Sequence, residues 1–280
     1  MTPTRPHIPR IVLAFDFDKT LASDGVDAVC AVYGLTREEW ARDFEAALGD
    51  NWDQILRRGQ ALIALGRAKG RPFSKALCRE AARRIEPFPG VLAMPDRLRA
   101  VAADVAVGIE LQFVILSSGY DELIAPTPIA EAFDRLLASG FESAQDGDTL
   151  YAVKRIIAHP EKAFHLEALG KGMSVDGANG PERAGDPVHP DDMHCPFDQM
   201  IYLGDGDSDL QAFGFLHRAG GLTIAVGAEG GFAPDDQTED QRVDAAPPPD
   251  YSPGAPLMRA LEHAVRACAH RIALRGIGSA

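Results

Sequence analysis

Two aspartates separated by one residue are the first group in this sequence that could do chemistry. Asp16 and Asp18 directly follow the apolar run Ile11–Phe15. Neighbouring carboxylates repel one another and raise one another's pKa, unless a cation lies between them. The ordinary alternative is a helix-capping aspartate beside a turn aspartate. The pair therefore predicts a site for a metal or for proton transfer if further polar groups converge on it.

A serine-rich turn follows a second apolar run. Ser117, Ser118 and Gly119 come directly after Phe113–Leu116. The hydroxyl of Ser117 and the backbone N–H groups of Ser118 and Gly119 could face an oxyanion. The N-terminus of a following helix would add its partial positive charge. We therefore predict an anion site at this turn.

A third apolar run, Met200–Leu203, ends in more carboxylates, with Asp205 close behind it and Asp209 further on. In a parallel sheet, the ends of these strands lie on one edge, where ligands gather. Clustered carboxylates at such an edge favour a hard divalent cation, and Mg²⁺ with its preference for oxygen ligands fits best. Asp16, Asp18 and Asp205 are thus expected to meet there although they are far apart in sequence.

The elements that must position these groups alternate between strand and helix. Amphipathic stretches, including Phe164–Leu169 and Pro256–Leu274, lie between or after short apolar runs. The predicted buried strands are Ile11–Phe17, Phe113–Leu116, Met200–Leu203 and Leu222–Val226. This alternation predicts an α/β fold with a doubly wound parallel sheet, a Rossmann-like core with helices on both faces.

The connection between the first two strands is far longer than the dozen or so residues that a crossover needs. It has helical character, and Thr36 with Glu39 three residues later is typical of a capping box. We predict a small inserted α-helical cap domain at 22–86, with the core formed by 1–21 and 87–280. The alternative is that these helices simply pack on the sheet.

The segment 172–196 lacks a regular apolar pattern and is rich in glycine and proline. A long connection of this kind inside a domain is usually functional or disordered. We expect a solvated loop insertion within the core rather than a metal-ligand cluster, because the spacing of its polar residues is irregular. The residues that could form such a cluster are His189, Asp191, Asp192, His194 and Cys195.

Charge and composition disfavour several classes of partner. Acidic residues outnumber basic ones by 41 to 28, for a net charge of −13, which disfavours nucleic acid or an anionic membrane. No apolar run reaches the 18 or so residues of a membrane span, and the N-terminus has no signal-peptide character. Scattered cysteines suit a reducing compartment, so we expect a cytoplasmic protein. The oligomeric state is left open.

Three of these motifs together resemble the haloacid dehalogenase-like hydrolase superfamily. Its first motif, DxDx(T/V) after a hydrophobic strand, matches Asp16–Thr20. Its second motif, a serine or threonine at a strand end, matches Ser117, and its acidic GDxxxD motif matches Gly204–Asp209. The layout resembles the phosphatase branch with a helical cap after the first motif, a phosphoserine phosphatase-like layout.

The resemblance implies a role for each acidic residue. Asp16 would be the nucleophile that forms an aspartyl phosphate, and Asp18 would protonate the leaving alcohol and then activate water. Mg²⁺ would be bound by the carboxylates of Asp16 and Asp205 and by the backbone carbonyl of Asp18, with Asp209 in a supporting role. An acid at Asp18 favours phosphate chemistry over carbon–halogen cleavage.

The resemblance also implies a lysine that pairs with the nucleophile and the phosphate, beside Ser117, Ser118 and Gly119. Lys154 lies in an alternating stretch that predicts a hairpin strand, with its ammonium towards solvent. Lys162 follows Pro160 and Glu161, residues favourable in a first helical turn. We favour Lys162 because a helix that starts there would place it at the carboxyl edge of the sheet.

The function predicted from the sequence is Mg²⁺-dependent hydrolysis of a small phosphomonoester, with a small phosphorylated metabolite as the partner. One alternative is a phosphotransferase or phosphomutase on the same scaffold, and another is a non-catalytic protein that binds a phosphorylated metabolite. Several cations of the predicted cap are possible substrate anchors, although a charged helix face is more often merely solvated. These cations are Arg57, Arg58, Arg67, Lys69 and Arg71.

Overall fold

The computed structural model describes residues 5–174, 183–227 and 243–277. At its centre is a six-stranded, mostly parallel sheet. The strands are β1 (Arg10–Phe15), β2 (Glu110–Tyr120), β3 (Arg135–Ser143), β4 (Leu150–Arg155), β5 (Met200–Gly204) and β6 (Leu222–Ala225). Their spatial order is β4-β3-β2-β1-β5-β6, and every neighbouring pair is parallel except β3 and β4. The predicted α/β fold with a parallel sheet is confirmed.

Helices surround this sheet. In chain order they are α1 (Gly25–Tyr33), α2 (Arg37–Trp40), α3 (Gln54–Ala68), α4 (Lys75–Ala82), α5 (Met94–Val105), α6 (Asp121–Ile124), α7 (Pro128–Ala132), α8 (Glu161–Lys171), α9 (Leu210–Arg218) and α10 (Pro256–Ile277). Helices α5 and α10 pack together over one face, and α8 and α9 pack together over the other. This layering covers the central strands on both sides.

The central position of β1 in the sheet explains why its sequence is an uninterrupted apolar run. Successive side chains of a strand point to opposite faces. Ile11, Leu13 and Phe15 join the hydrophobic cluster on one face, and Val12 and Ala14 join the cluster on the other. A central parallel strand buried on both faces therefore reads as an uninterrupted apolar run rather than as an alternation.

Helices α1 to α4 lie in the connection between β1 and β2. The chain leaves and re-enters the core side by side, since Ser23 N–H donates to the Glu86 carbonyl at 3.0 Å and Phe88 N–H donates to the Leu21 carbonyl at 2.9 Å. The capping box of Thr36 and Glu39 is present at the start of α2. The assignment of 22–86 as a separate cap domain stays a proposal, because its buried residues form one continuous cluster with those on the sheet.

The edge of the sheet differs from the sequence-based expectation. The alternating stretch around Lys154 is indeed one strand of a hairpin, β4, but its partner β3 was not predicted. Strand β2 also continues to Tyr120 instead of ending before Ser117, with an irregularity in its pairing to β3 between Ser117 and Tyr120. The serine-rich turn therefore lies within the end of a strand.

The predicted loop 172–196 is only partly solvated. Its residues 175–182 lie outside the described part of the chain. His189, Asp191 and Asp192 are exposed, but His194 bonds to Arg10 and Gln112 and Cys195 is fully buried. The expectation of a solvated loop is therefore wrong for these last two residues, which pack where β1 begins. Among the residues that the structure describes, no metal-binding group occurs in this segment.

The described helices include none with the length and apolar character required to cross a bilayer. The four cysteines are buried and free of disulfide bonds, as their scattered positions predicted. They are Cys30, Cys78, Cys195 and Cys268.

Candidate active site

The candidate site lies at the carboxyl edge of the sheet, directly after β1. Asp16 N–H still donates to the Leu203 carbonyl of β5 at 2.8 Å, so the nucleophile candidate continues the line of the strand. A cavity of about 320 Å³ opens at this point. It is lined by Asp16, Asp18, Lys19, Asp24, Gln54, Arg58, Ser117, Ser118, Gly119, His159, Asp205, Gly206 and Ser208. The predicted residues from three strand ends thus meet at one cavity.

Three carboxylates converge at this edge of the sheet, two of them lining the cavity and the third buried beside it. Asp16, Asp205 and Asp209 offer oxygens that lie within 4.8 Å of one another. Asp16 Oδ1 is buried and has no hydrogen-bond partner among the described residues. Burial, together with the charges of Asp16 and Asp209, raises the pKa of Asp205 to about 7. A buried, unpartnered oxygen of Asp16 close to Asp205, whose pKa is raised, fits a hard divalent cation such as Mg²⁺.

A buried lysine neutralises part of this charge. Lys162 is fully buried, and its Nζ lies 2.6 Å from Asp209 Oδ1 and 3.1 Å from Asp16 Oδ2. Although burial alone would lower it, Asp16 and Asp209 hold the pKa of Lys162 above its ordinary value, so the ammonium stays charged. Removing one member of such a buried ion pair leaves the other charge uncompensated.

Asp209 acts chiefly as the anchor of this lysine. Its Oδ1 accepts hydrogen bonds from Lys162 Nζ and from the Tyr202 hydroxyl, both at 2.6 Å. The remaining oxygen lies 3.3 Å from Ser208 Oγ. A Cβ at Gly204 would lie 2.3 Å from the Asp209 carboxylate, so only glycine fits at that position. Asp209 therefore matches the predicted supporting role better than that of a metal ligand.

The two candidate lysines lie in different places. Lys162 is in the first turn of α8, next to Glu161, whose Oε2 accepts a hydrogen bond from Ala158 N–H at 2.9 Å. Lys154 is on β4, 3.7 Å from Glu142, and its side chain is 56% exposed. The structure brings Lys162 to the carboxylates and leaves Lys154 on the hairpin surface.

Asp18 is held in a different environment from Asp16. Its Oδ1 accepts a hydrogen bond from Gly25 N–H at 2.8 Å. Burial and the charges of Asp24 and Asp16 raise the pKa of Asp18 to about 7. A Cβ at Gly119 would lie 3.1 Å from Asp18 Oδ2, so this glycine leaves room for the carboxyl group. A carboxyl group with this pKa can both donate and accept a proton near neutral pH.

The serine-rich turn only partly matches the predicted anion site. Ser117 is buried, and its Oγ accepts a hydrogen bond from Gly119 N–H at 2.9 Å, so that N–H is not free for an anion. Ser118 Oγ is buried without a hydrogen-bond partner among the described residues. The helix that follows is α6, only four residues long. The turn offers hydroxyl groups, whereas the expected helix N-terminus contributes little.

The far wall of the cavity comes from the segment between β1 and β2. Asp24, Gln54 and Arg58 line it, and Arg58 Nε is buried without a partner among the described residues. Although burial opposes the effect, the Arg37 guanidinium at 3.0 Å holds the pKa of Asp24 below its ordinary value. Of the cations that the sequence suggested as anchors, all of them in the described part of the chain, Arg58 alone lines the cavity.

Some residues of the site carried no clear signal in the sequence. Lys19 lies within the first motif at a φ of 59°, a left-handed conformation that is rare for a lysine. Burial and the charge of Lys162 lower the pKa of His159, which faces the cavity as a neutral imidazole. Tyr202 could not be singled out, since a tyrosine in a strand is ordinary. His159 could have been found from its place just before the helix of Lys162.

A family model for haloacid dehalogenase-like hydrolases matches residues 13–214 of this chain. The chain therefore belongs to the haloacid dehalogenase-like hydrolase family, as its motifs and fold indicate. The matched range includes both aspartates of the first motif, the serine-rich turn, the buried lysine and the acidic motif after β5. A comparison with curated proteins finds no sequence that matches the chain.

Solved structures with the same fold include phosphoserine phosphatases. One, a phospho-aspartyl intermediate analogue, is 15% identical, with a TM-score of 0.53 over 91% of this chain and 98% of that one. A probable phosphoserine phosphatase from Vibrio cholerae is 16% identical, with a TM-score of 0.55 over 95% of this chain and 68% of that one. A family hydrolase from Salmonella enterica serovar Typhi is 20% identical, with a TM-score of 0.53 over 81% of this chain. This chain spans 64% of the Salmonella protein.

Proposed function

We propose that this chain hydrolyses a small phosphomonoester in the presence of Mg²⁺, through an aspartyl phosphate on Asp16. The observation that carries the proposal is the pairing of two unlike carboxyl groups at one cavity. Asp16 is ion-paired with a buried lysine and has a free oxygen, while Asp18 has a pKa of about 7. One group is suited to attack and the other to proton transfer.

In the first step, an oxygen of the Asp16 carboxylate attacks phosphorus as the bond to the leaving oxygen breaks. Asp18 gives its proton to that oxygen, so that a neutral alcohol departs. Lys162, 3.1 Å from Asp16 Oδ2, holds the nucleophile in place and lies close to the phosphoryl oxygens. The hydroxyl groups of Ser117 and Ser118 bind the same oxygens from the next strand. These groups stabilise charge where it accumulates in the transition state.

In the second step, water attacks the phosphorus of the aspartyl phosphate. Asp18, now ionised, takes a proton from that water, and the Asp16 carboxylate leaves as phosphate forms. The hydrogen bond from Gly25 N–H at 2.8 Å keeps the Asp18 carboxyl group in one orientation for both steps. The same group thereby returns to its starting state at the end of each cycle.

The donor set suits Mg²⁺, which would be bound by the carboxylates of Asp16 and Asp205 and by the backbone carbonyl of Asp18. When bound, the ion supplies positive charge that allows an anionic nucleophile to approach an anionic substrate. Asp209 is left to orient Lys162, since its Oδ1 already accepts two hydrogen bonds.

The cavity supports a small phosphorylated metabolite as the substrate. Its volume of about 320 Å³ leaves room for a leaving group of modest size beyond the phosphate. Arg58, with its unpartnered Nε, faces that space and suits an anionic group on the leaving part of the substrate. One similar structure is described as a phosphoserine phosphatase with bound substrate, which supports this substrate class.

A phosphate-release assay with a generic aryl phosphate tests this function. We expect turnover with Mg²⁺, none with a chelator, and none for Asp16→Asn, which keeps the size of the side chain but loses its charge. Asp96→Asn is the matched control, because that side chain is 91% exposed on α5, and it should leave turnover unchanged. Transfer to an added sugar alcohol without phosphate release would favour a phosphotransferase. Binding of phosphorylated metabolites without turnover would favour the non-catalytic alternative.

A further inference from the structure

Tyr120 connects the serine-rich turn to a helix on the opposite side of the cavity. It directly follows Ser117–Gly119 at the end of β2. Its ring is buried and packs against Phe141 with centroids 4.3 Å apart. Its hydroxyl donates a hydrogen bond of 2.5 Å to the carbonyl of Ile55, in the first turn of α3. A single side chain thus spans from the predicted phosphate site to the segment between β1 and β2.

The helix is shaped to receive this hydroxyl. Gly59 lies in the interior of α3, where glycine is an unfavourable residue. A Cβ at Gly59 would lie 2.6 Å from the Tyr120 hydroxyl and 2.5 Å from Val153 Cγ2 of β4. Any larger residue would therefore push α3 away from both strands. Gly59 therefore allows the close approach of α3 to Tyr120 on which this contact depends.

The contact fixes the part of α3 that faces the cavity. Gln54 and Arg58, one on each side of the buried Ile55 along the helix, both line the cavity. A phenylalanine would pack against Phe141 equally well, so the packing does not explain the hydroxyl. The hydrogen bond of the hydroxyl instead fixes the position of the first turn of α3 relative to the serine-rich turn.

We propose that Tyr120 is a positioning residue, which holds Gln54 and Arg58 of α3 over the predicted phosphate site so that they contact the leaving group. This proposal rests on the proposed phosphatase function. Tyr120 touches neither the phosphate nor the nucleophile in this scheme. Its loss should therefore weaken contact with the leaving group while the groups that act on phosphorus stay in place.

Tyr120→Phe removes the hydroxyl and keeps the ring. For an aryl phosphate we expect KM to rise about 3- to 10-fold with kcat within twofold, the size of one net hydrogen bond. Competitive inhibition by inorganic phosphate, which lacks a leaving group, should keep its inhibition constant within twofold. Amide hydrogen exchange over residues 54–68 should become faster.

Tyr33→Phe is the matched control, because the Tyr33 hydroxyl also donates to a backbone carbonyl, that of Arg71, at 2.9 Å, away from the cavity. It should leave KM within twofold. An unchanged KM for Tyr120→Phe, an equal rise for Tyr33→Phe, or an equal weakening of phosphate inhibition would overturn the proposal.

Two further arms keep the test decisive. If Tyr120→Phe does not fold, Gly59→Ala should raise KM by forcing the same contact apart, and an unchanged KM in that variant would contradict the proposal. If the unmodified protein shows no turnover, the proposed function fails on its own. The hydrogen-exchange measurement then still decides whether Tyr120 fixes α3. Amide exchange over residues 54–68 that is no faster in Tyr120→Phe than in the unmodified protein would overturn the proposal.

Discussion

At the scale of residues, the site depends on one buried cation among several carboxylates. Lys162 is fully buried and contacts both Asp16, at 3.1 Å, and Asp209, at 2.6 Å, directly. The full burial of this ammonium is tolerable only because two acidic side chains lie within 3.1 Å of it. The site therefore contains one ion-paired unit, formed by the proposed nucleophile Asp16, by Lys162 and by Asp209.

We predict that Lys162→Ala lowers kcat/KM by two or more orders of magnitude, about 3 kcal/mol of transition-state stabilisation. The carboxylates would then repel both one another and the substrate. Lys154→Ala is the control on the surface hairpin and should cost less than tenfold. Steady-state kinetics of both variants on one aryl phosphate make the comparison, and the reverse ranking would move the catalytic lysine to β4.

The acidic residues of the site could be predicted because their chemistry is visible in the sequence. Asp16, Asp18 and Asp205 are charged groups that directly follow apolar runs, and a parallel sheet brings such positions together. Lys162 could be preferred over Lys154 because Pro160 and Glu161 mark the start of a helix. The hydrogen bond between Ser117 and Gly119 could not be foreseen, since it depends on the irregular backbone at the end of β2.

At the scale of elements, the central strands were predictable and the edge of the sheet was not. Strands β1 and β5 are buried on both faces, and burial of this kind leaves a continuous apolar run. Strand β3 has mixed composition, including Ser139 and Gly140, and so gives no comparable signal. It is stabilised instead by pairing with β2 and β4, a tertiary effect that a local pattern does not report.

The described end of segment 172–196 stabilises the opposite end of the sheet. His194 Nδ1 lies 2.9 Å from Arg10 Nη1, and its Nε2 lies 2.9 Å from Gln112 Oε1. Because arginine can only donate, Nδ1 accepts that hydrogen bond and the ring is neutral. Burial and the charge of Arg10 accordingly lower the pKa of His194 from its ordinary value of 6.5.

This arrangement predicts a pH dependence of stability. Since the pKa of His194 is lower in the folded protein, the unfolded chain binds more protons as the pH falls below about 6.5, and stability is lost in that direction. His194→Ala should cost about 1 to 2 kcal/mol near pH 7 and flatten the decline towards acid. Urea unfolding at a series of pH values makes the measurement. If the free energy of unfolding of His194→Ala declines towards acid as steeply as that of the unmodified protein, other groups cause the decline. The kcat of the variant should stay unchanged, because the candidate active site is at the other edge of the sheet.

At the scale of the whole molecule, a strongly acidic protein is proposed to bind an anion. The net charge of −13 opposes a phosphorylated substrate everywhere except near a few placed cations. Lys162, Arg58 and Lys19 lie at or beside the cavity, and a bound Mg²⁺ would add to them. Metal binding would also relieve the repulsion among the carboxylates of the site. Because these carboxylates meet only in the folded protein, this effect applies to the folded state and not to the unfolded chain.

We therefore predict that Mg²⁺ stabilises the fold. At ten times its dissociation constant it should add about 1.4 kcal/mol to the free energy of unfolding and raise Tm by about 2 to 4 °C. Asp205→Asn should abolish the shift, and sodium chloride of equal ionic strength should not produce it. Differential scanning calorimetry makes the measurement. A shift that persists in Asp205→Asn would place the ion elsewhere.

The most direct test of the central claim is to trap the covalent intermediate. Asp18→Asn cannot activate water, so the phosphoryl group should remain on the nucleophile after the first step. We predict that Asp18→Asn, incubated with an aryl phosphate and Mg²⁺ and quenched in acid, gains the mass of one phosphoryl group, located on Asp16 by peptide mapping. The double variant with Asp16→Asn should gain nothing. Two results together would contradict nucleophilic catalysis by Asp16. The first is phosphate release by the unmodified protein with no adduct in Asp18→Asn. The second is at least a tenth of the activity retained in Asp16→Asn.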